Sequence, residues 1–238
     1  MRSIFKTSLI ACVTVIAASS AFAQKAGDNI VSIGAAFIDS KADVGTLTNP
    51  NPTINGALVG TSAAISSEST VSFGLLHMFT DNFGTEVTIG IPPTVTQDLT
   101  TPNGPSAGMA VNHPGAAKID LWTPTAIAKY FFGTSKDQWR PYVGFGASHV
   151  SFHNIKTTAD VSGLAGKSAN LSSSWAPVYN AGMIYNIDDK WSINGSVSYI
   201  PVTTKATFVG DAAHGSTTTT GDIKLKTTDY VIRLGYRF

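Results

Sequence analysis

Apolar and polar residues alternate at every second position in several runs of this chain, and turns or long polar segments separate the runs. The clearest run ends the chain, and its apolar face consists of Tyr230, Ile232, Leu234, Tyr236 and Phe238. Arg233 and Arg237 lie on the opposite face of the same run. Because successive side chains of a strand point to opposite faces, a period of two predicts a β-strand with one apolar and one polar face.

Eight such runs can be distinguished along the chain. In the seventh run, aromatic residues stand at both ends of the apolar face, at Trp191 and Tyr199, with Ile193 and Val197 between them. Strands whose outer face meets lipid have this arrangement, with aromatic girdles at the two bilayer interfaces. The fifth run has the composition of a strand, but the pattern does not define its inward face. The runs lie near residues 29–37, 71–76, 83–91, 125–132, 142–152, 175–185, 191–199 and 230–238.

Short and long connections alternate between these runs. Short polar turns are predicted at 80–82, 133–138 and 188–190. The longer segments are 41–66, 100–117, 154–171 and 210–220. Short turns on one rim and long loops on the other are typical of outer-membrane barrels. We therefore predict an all-β fold, an eight-stranded antiparallel transmembrane β-barrel with short periplasmic turns and four long extracellular loops.

The low charge of the chain agrees with this fold and excludes other classes. Charged residues make up 13% of the sequence, whereas an average soluble domain has about 25%. No run of Lys and Arg is present, which argues against a nucleic-acid partner. The hydrophobic fraction of 43% and the aromatic fraction of 10% are too high for a disordered chain.

The first 23 residues have the pattern of a cleaved signal peptide. Arg2 and Lys6 form its basic start, an apolar stretch follows, and Ala21-Phe22-Ala23 is a cleavage site of the A-x-A type. The segment 24–238 is then a single barrel domain in the bacterial outer membrane. Cys12, the only cysteine, lies within the signal peptide. A lipoprotein reading of the sequence around Cys12 is disfavoured, because the apolar run continues past it to the better cleavage site.

Several segments resemble the OmpW family of small outer-membrane porins. The segments are TDNFGTEV at 80–87, WTPTAIAKYFFG at 122–133, RPYVGFGASHVSF at 140–152, SSSWAP at 172–177, the hairpin Gly182–Trp191 and LGYRF at 234–238. The resemblance implies an eight-stranded barrel with a narrow, largely hydrophobic lumen that passes small apolar molecules. A relative of the family helps to import alkanes. The resemblance also implies a route from the extracellular mouth into the barrel and then sideways through its wall into the bilayer.

Four inward-facing charged residues are predicted near the periplasmic end. They are Glu86, Lys129, Arg233 and Arg237, and Glu86 and Lys129 fall on neighbouring strands, where they could pair. One hypothesis is a polar floor that blocks axial flow through the barrel. The alternative is charge pairing that only keeps buried groups satisfied.

Above this floor, inward residues are expected to line the lumen. An eight-stranded barrel is just wide enough to be filled by side chains, which excludes a wide aqueous pore. Small inward residues leave room in the upper half, and Leu76 and Met78 would give that space an apolar surface. Ordinary filling of the barrel is an equally good reading. The predicted lining residues are Leu76, Met78, Thr88, Asn180, Ser196 and Ser198.

Two prolines and two aromatic residues complete the predicted sites. Pro93 and Pro177 mark positions where a missing ladder hydrogen bond could open the wall, although each also fits a strand end or bulge. Tyr236 and Phe238 form the terminal aromatic signal that the outer-membrane assembly machinery recognises in such barrels.

The predicted function is passive passage of small hydrophobic molecules through the outer membrane, with lateral release into the bilayer. The alternative is a structural or surface-receptor barrel whose loops bind phage, bacteriocin or a host surface. The expected partners are outer-membrane lipid and small apolar ligands. No catalytic motif is present, so the chain is not predicted to be an enzyme, and no cofactor is expected. His149 and His153 lie about 13 Å apart on a strand, so no metal site is predicted.

Overall fold

The computed structural model describes residues 24–108, 110–157, 168–209 and 217–238. The predicted signal peptide, residues 1–23, lies outside the described residues. The described strands are β1 Asn29–Val44, β2 Ser62–Ile65, β3 Glu68–Met78, β4 Phe83–Gly90, β5 Thr94–Thr100, β6 Asn112–Trp122, β7 Thr125–Phe131, β8 Trp139–Thr157, β9 Ser168–Leu171, β10 Ser174–Asn186, β11 Trp191–Val209 and β12 Thr218–Arg237. A short helix, α1, spans Pro52–Ala57, and a single 3-10 turn spans Gly104–Ala107.

Eight of the strands form a closed ring. In ring order they are β1, β3, β4, β7, β8, β10, β11 and β12, and every neighbouring pair is antiparallel. β12 returns to β1 over a long register that runs from Ile30 opposite Arg237 to Val44 opposite Ile223. This closure leaves the ring without a free edge. The predicted eight-stranded antiparallel barrel is confirmed.

The outer face of the ring is apolar, and its aromatic residues form two girdles. Near the periplasmic turns, the rings of Trp191 and Tyr236 lie 5.0 Å apart. Toward the extracellular end, the rings of Phe37 and Tyr230 lie 6.3 Å apart. Exposed aliphatic side chains lie between the girdles; on β12 they are Ile232 and Leu234. An apolar band between aromatic girdles is the outer surface that a bilayer-spanning barrel requires.

The inward face of β8, which the sequence pattern does not define, is the face of its even-numbered residues. Arg140, Tyr142 and Ser148 are buried inside the ring, whereas Val143 and Phe145 are exposed on its outside. Both faces carry an aromatic residue, so alternation of apolar and polar side chains could not distinguish them.

The periplasmic turns lie where the sequence predicts them. The strands on either side leave connections at 79–82, 132–138 and 187–190. In the third turn, the carboxylate of Asp188 accepts hydrogen bonds from the backbone N–H groups of Lys190 and Trp191. These two bonds hold the pKa of Asp188 below its usual value.

The extracellular end contains more regular structure than the sequence predicts. β2, β9 and the first half of β6 extend the wall above the ring through segments expected to be loops, and β5 extends it between the third predicted run and the predicted loop 100–117. The helix α1 was also missed; the side chain of Asn51 caps it by accepting from the N–H groups of Thr53 and Ile54. Its six residues are too few to show an amphipathic period. No helix among the described residues is long and apolar enough to cross a membrane.

Candidate functional site

Three of the predicted inward charges meet inside the ring. Lys129 Nζ lies 2.5 Å from Glu86 Oε2, and Arg233 Nη1 lies 3.0 Å from Glu86 Oε1. All three residues are buried, with exposures of 5% or less. We call Glu86, Lys129 and Arg233 the ion cluster.

The local fold accounts for this meeting. β4 and β7 are neighbours, with Gly84 opposite Lys129, so the Glu86 and Lys129 side chains start from adjacent strands. Arg233 reaches them from β12 through space that Gly74 leaves open, since a Cβ at Gly74 would collide with the guanidinium. Small inward residues thus leave space for the large charged side chains.

Tyr142 and Asn194 extend the ion cluster across the barrel. Lys129 Nζ donates to the Tyr142 hydroxyl at 3.3 Å, and that hydroxyl donates to Asn194 Oδ1 at 2.8 Å. The Lys129 ammonium also lies 4.3 Å from the centre of the Tyr142 ring. A carboxylate between two cations with further hydrogen bonds is the arrangement that makes buried charges tolerable. It also fills the cross-section at this level with polar side chains.

Arg237, the fourth predicted floor residue, does not join the ion cluster. Its Nη1 lies 3.1 Å from Asp28 Oδ2, and its Nε donates to the carbonyl of Asp189 at 2.6 Å. Arg237 faces the same side of β12 as Arg233, but it lies four residues closer to the end of the strand, about 13 Å further along it toward the periplasmic end. Its place is therefore the periplasmic rim.

Leu76 and Met78 also lie lower than predicted. They pack with Ile30, Phe131 and Tyr142 in a buried apolar cluster at the periplasmic end, not beside the upper lumen. The reason is that β3 descends toward the turn at 79–82, so its last inward residues are the lowest ones.

Arg140 closes the periplasmic end and was missed by sequence reasoning. It is fully buried, and its Nη1 and Nη2 donate to the carbonyls of Gln24 and Asp81 at 2.7 and 2.6 Å. Its guanidinium carbon lies 5.4 Å from the centre of the Phe131 ring. This role could have been predicted only if the inward-facing residues of β8 had been known.

A cavity lies directly above the ion cluster, and we call it the lumen cavity. Its volume is about 50 Å³, enough for a few water molecules. The ring at this height therefore encloses only a narrow space. The predicted lining residues that border it are Thr88, Asn180, Ser196 and Ser198.

Three further cavities continue from the lumen cavity toward the extracellular end, and we call them the apolar path. The lowest shares Ile200 and Asp229 with the lumen cavity, and the next shares Leu121 and Leu225 with the lowest. The uppermost shares Ile223 with the middle one and reaches Leu58, just after α1. The residues around this path form the largest buried apolar cluster, which includes Leu121, Ile127, Val150, Val178, Ile200, Val202, Ile223 and Leu225.

The wall is interrupted beside the lumen cavity, next to Pro93. The ladder between β4 and β7 ends at Thr88 opposite Thr125. Backbone pairing resumes only where β5 and β6 begin to pair, with the Leu121 N–H donating to the Pro93 carbonyl. Residues 89–92 and 122–124 border this interruption, which we call the wall gap. Ile89 is exposed on the outer face, yet it also lines the lumen cavity. The lumen cavity thus lies directly against the wall at the wall gap.

Pro177 lies at a second interruption, between β10 and β11. Its pairing with Ala147 of β8 is intact, but the ladder to β11 begins only at Tyr179 opposite Tyr199. Two residues further, the same register places Pro177 opposite Pro201. Neither residue has an N–H group to donate. The cavity residues next to this break, Val178 and Ile200, are buried and face inward.

The predicted terminal signal lies on the closing strand. Tyr236 pairs with Val31 of β1 and with Trp191 of β11. The N–H of Phe238 donates to the carbonyl of Asn29 at 3.0 Å, and the Phe238 side chain is exposed.

His149 and His153 lie apart in the described structure. The rings of His149 and Trp175 meet edge to face with centres 5.0 Å apart, whereas His153 Nε2 lies 3.2 Å from Ser151 Oγ. Within the part of the chain that the structure describes, no group of three or more His, Cys, Asp or Glu side chains is placed to hold a metal ion.

Comparison with known proteins agrees with this architecture. The family model described as "OmpW family" matches residues 25–238. The chain belongs to the OmpW family. Members of this family are outer-membrane barrels and not enzymes, which places the chain in the bacterial outer membrane as predicted.

Individual relatives and structures support the same assignment. Outer membrane protein W of Vibrio cholerae is 27% identical over 234 residues, which cover 96% of this chain and 97% of that protein. Outer membrane protein AlkL of Ectopseudomonas oleovorans is 25% identical over 185 residues, 78% of this chain and 74% of that protein. The crystal structure of OprG from Pseudomonas aeruginosa has the same fold, with a TM-score of 0.79 at 24% identity, over 91% of this chain and 98% of that one.

Proposed function

We propose that this OmpW-family barrel passes small hydrophobic molecules through the outer membrane and releases them sideways through the wall gap. The observation that carries the proposal is the apolar path, a series of small cavities of about 20–30 Å³ that share lining residues between the extracellular end and the lumen cavity, which Ile89 borders. The family resemblance and the relationship to AlkL support the same function.

The ion cluster gives the route its direction. An apolar molecule that descends the path meets Glu86, Lys129 and Arg233, and displacing their mutual contacts would expose buried charges at high cost. Leaving sideways into lipid carries no such cost, because the hydrocarbon of the bilayer is as apolar as the path itself. The ion cluster therefore acts as a floor that turns the molecule toward the wall.

The wall gap beside Pro93 is a better exit than the break at Pro177. An outward-facing residue, Ile89, lines the lumen cavity at the wall gap, whereas the cavity residues at the second break all face inward. At Gly90, a Cβ atom would meet only Val71 O at 3.3 Å and Thr70 Cγ2 at 3.6 Å. Gly90 therefore adds no side chain to the lumen side of the wall beside the gap.

Uptake of the fluorescent apolar dye N-phenyl-1-naphthylamine by bacterial cells tests the proposal. Cells producing the protein are expected to take up the dye faster than cells without it. Ala42→Trp places an indole in the middle cavity of the path, which Ala42 lines, and is expected to return uptake to the level of cells without the protein. Ala35→Trp, on the exposed outer face of the same strand, is the matched control and should keep full uptake.

Equal uptake with and without the protein would contradict the proposal. Binding of a phage or bacteriocin that survives a complete loss of transport would then favour the surface-receptor function instead.

The terminal strand has a separate proposed role in biogenesis. Tyr236 and Phe238 present aromatic side chains on the outer face of the strand that closes the ring. We propose that the outer-membrane assembly machinery binds this strand before it pairs with β1. Phe238→Ser should then reduce the amount of folded barrel in cells while leaving refolding of the purified chain into detergent unchanged.

A further inference from the structure

Three residues that line the lumen cavity each carry a buried polar atom without a hydrogen-bond partner. The atoms are Asn180 Oδ1, Asp229 Oδ1 and Arg233 Nε. Only two other buried side-chain atoms in the described residues lack a partner, Gln24 Oε1 and His113 Nδ1. Buried polar groups in native proteins are nearly always paired, so three at one place indicate a missing partner.

The register of three adjacent strands sets two of these atoms at one level. Asn180 lies opposite Ser198, and Ser198 lies opposite Asp229. The Asn180 amide nitrogen donates to Ser198 Oγ at 2.9 Å and to the Val197 carbonyl at 3.1 Å, which fixes the amide and leaves its oxygen without a donor. The site thus offers two acceptors on neighbouring parts of the wall and one donor, Arg233 Nε, lower down.

The absence of a side chain at Gly144 leaves space beside the Asn180 acceptor. A Cβ atom at Gly144 would lie 3.3 Å from Asn180 Oδ1, within van der Waals contact of it. Asp229, the other acceptor, belongs both to the lumen cavity and to the lowest cavity of the apolar path. The polar site is therefore the lower end of an apolar route.

The charges around the site balance, which selects a neutral ligand. Lys129 and Arg233 contribute two positive charges, and Glu86 and Asp229 contribute two negative ones. A charged molecule would leave an uncompensated charge inside the barrel, and that is costly in a low-dielectric interior.

We infer that the lumen cavity binds the hydroxyl end of an uncharged amphiphile, an aliphatic alcohol whose hydrocarbon chain lies in the apolar path. A hydroxyl can donate a hydrogen bond without carrying a charge, so it matches the two acceptors that lack a donor, Asn180 Oδ1 and Asp229 Oδ1. This inference rests on the proposed function, because the apolar chain must enter by the apolar path. It goes further by naming the substrate class and the residues that recognise it.

Titration of the isotope-labelled protein in lipid nanodiscs with 1-octanol and with n-octane, followed by NMR, tests the inference. Both compounds should perturb signals along the apolar path. Only 1-octanol should give saturable shifts at Asn180, Ser198 and Asp229, and it should bind about tenfold more tightly than octane, the effect of one to two net hydrogen bonds. Octanoate and octylammonium should bind more weakly than octanol because each carries a charge.

Variants separate recognition of the hydroxyl from general filling of the lumen. Asp229→Leu and Asn180→Leu remove the acceptors and should abolish the preference for octanol while retaining octane binding. Thr88 lines the same cavity, but it is not among the residues with an unpaired buried atom. Thr88→Val should therefore retain the preference for octanol over octane. Migration as a heat-modifiable band on gels checks that each variant is folded.

The outcomes distinguish this inference from the proposed function. Equal affinity for octane and octanol, or tightest binding of octylammonium, would overturn the hydroxyl site while leaving the apolar path in place. Binding of neither compound inside the barrel would overturn both.

Discussion

Glu86 and Arg233 meet across the interior of the barrel, with Oε1 and Nη1 3.0 Å apart although β3 and β1 separate their strands in the ring. The same carboxylate binds Lys129 on the other side. One acidic residue thus holds two buried cations from different parts of the ring. The ion cluster therefore links β4, β7 and β12 and closes the lumen at one level.

Removing the shared carboxylate should strongly destabilise the barrel. Glu86→Gln leaves Lys129 and Arg233 buried without a counter-charge, which is expected to lower the free energy of unfolding by about 3–5 kcal/mol. Urea unfolding in lipid vesicles measures this change. Asp43→Asn is the control, because the pair of Asp43 with Lys226 is exposed and should contribute only about 0–1 kcal/mol.

The cause of that loss can be checked in the same experiment. Replacing Glu86, Lys129 and Arg233 together by Leu, Met and Met removes the unpaired charges and should recover part of the stability. A triple variant less stable than Glu86→Gln would contradict an electrostatic origin.

Gly74 is expected to tolerate no side chain. Gly74→Ala puts a methyl group against the Arg233 guanidinium and 2.6 Å from Ser32 Oγ, and it should cost about 1–3 kcal/mol through overpacking. Gly195→Ala is the matched control, since a Cβ there meets nothing within 4 Å. Its effect should stay within about 0.5 kcal/mol. Equal stability of the two variants would show that Arg233 does not need the space at Gly74.

Pro177 and Pro201 are expected to keep the β10–β11 ladder open. In the double variant Pro177→Ala/Pro201→Ala, the new N–H groups face the opposite carbonyls in the extended register, and each new bond should stabilise the barrel by about 0.5–1.5 kcal/mol. Slow hydrogen exchange of the two new amides is the direct readout. Fast exchange at both would contradict the register. Dye uptake should not change, because the proposed exit lies at the wall gap instead.

The fold could be predicted from the sequence because lipid imposes a strict rule on the outer face. Outward residues that meet lipid are mainly apolar, and the alternation on strands such as β11 and β12 therefore appears directly in the sequence. On β8 the rule fails, since Tyr142 inside and Phe145 outside are both aromatic. The inward role of Arg140 was hidden for the same reason.

The site was predicted less completely because alternation gives the face of a residue but not its height. Arg233 and Arg237 share a face, yet only Arg233 reaches Glu86. Leu76 and Met78 face inward but lie at the periplasmic end. Asp229 faces the same side of β12 as Arg233, but it lies just outside the predicted run. That one of its oxygens lacks a hydrogen-bond partner can be seen only in the structure.

The central claim, lateral exit through the wall gap, can be tested with a reversible cross-link. The only cysteine of the chain is Cys12, so a new pair would be the only cysteines between residues 24 and 238. If the register of β4 and β7 is continued two residues past Thr88 and Thr125, Gly90 lies opposite Thr123, and Gly90→Cys/Thr123→Cys would join the two sides of the wall gap. Thr88→Cys/Thr125→Cys, two residues lower on each strand and within the intact ladder, is the control for a disulfide in the lumen.

Dye uptake with each pair oxidised and then reduced is the most direct measurement. We expect oxidation of the Gly90→Cys/Thr123→Cys pair to stop uptake and reduction to restore it, while the control pair transports in both states. Full uptake by the oxidised protein, with the cross-link verified on a gel, would contradict lateral exit at this gap.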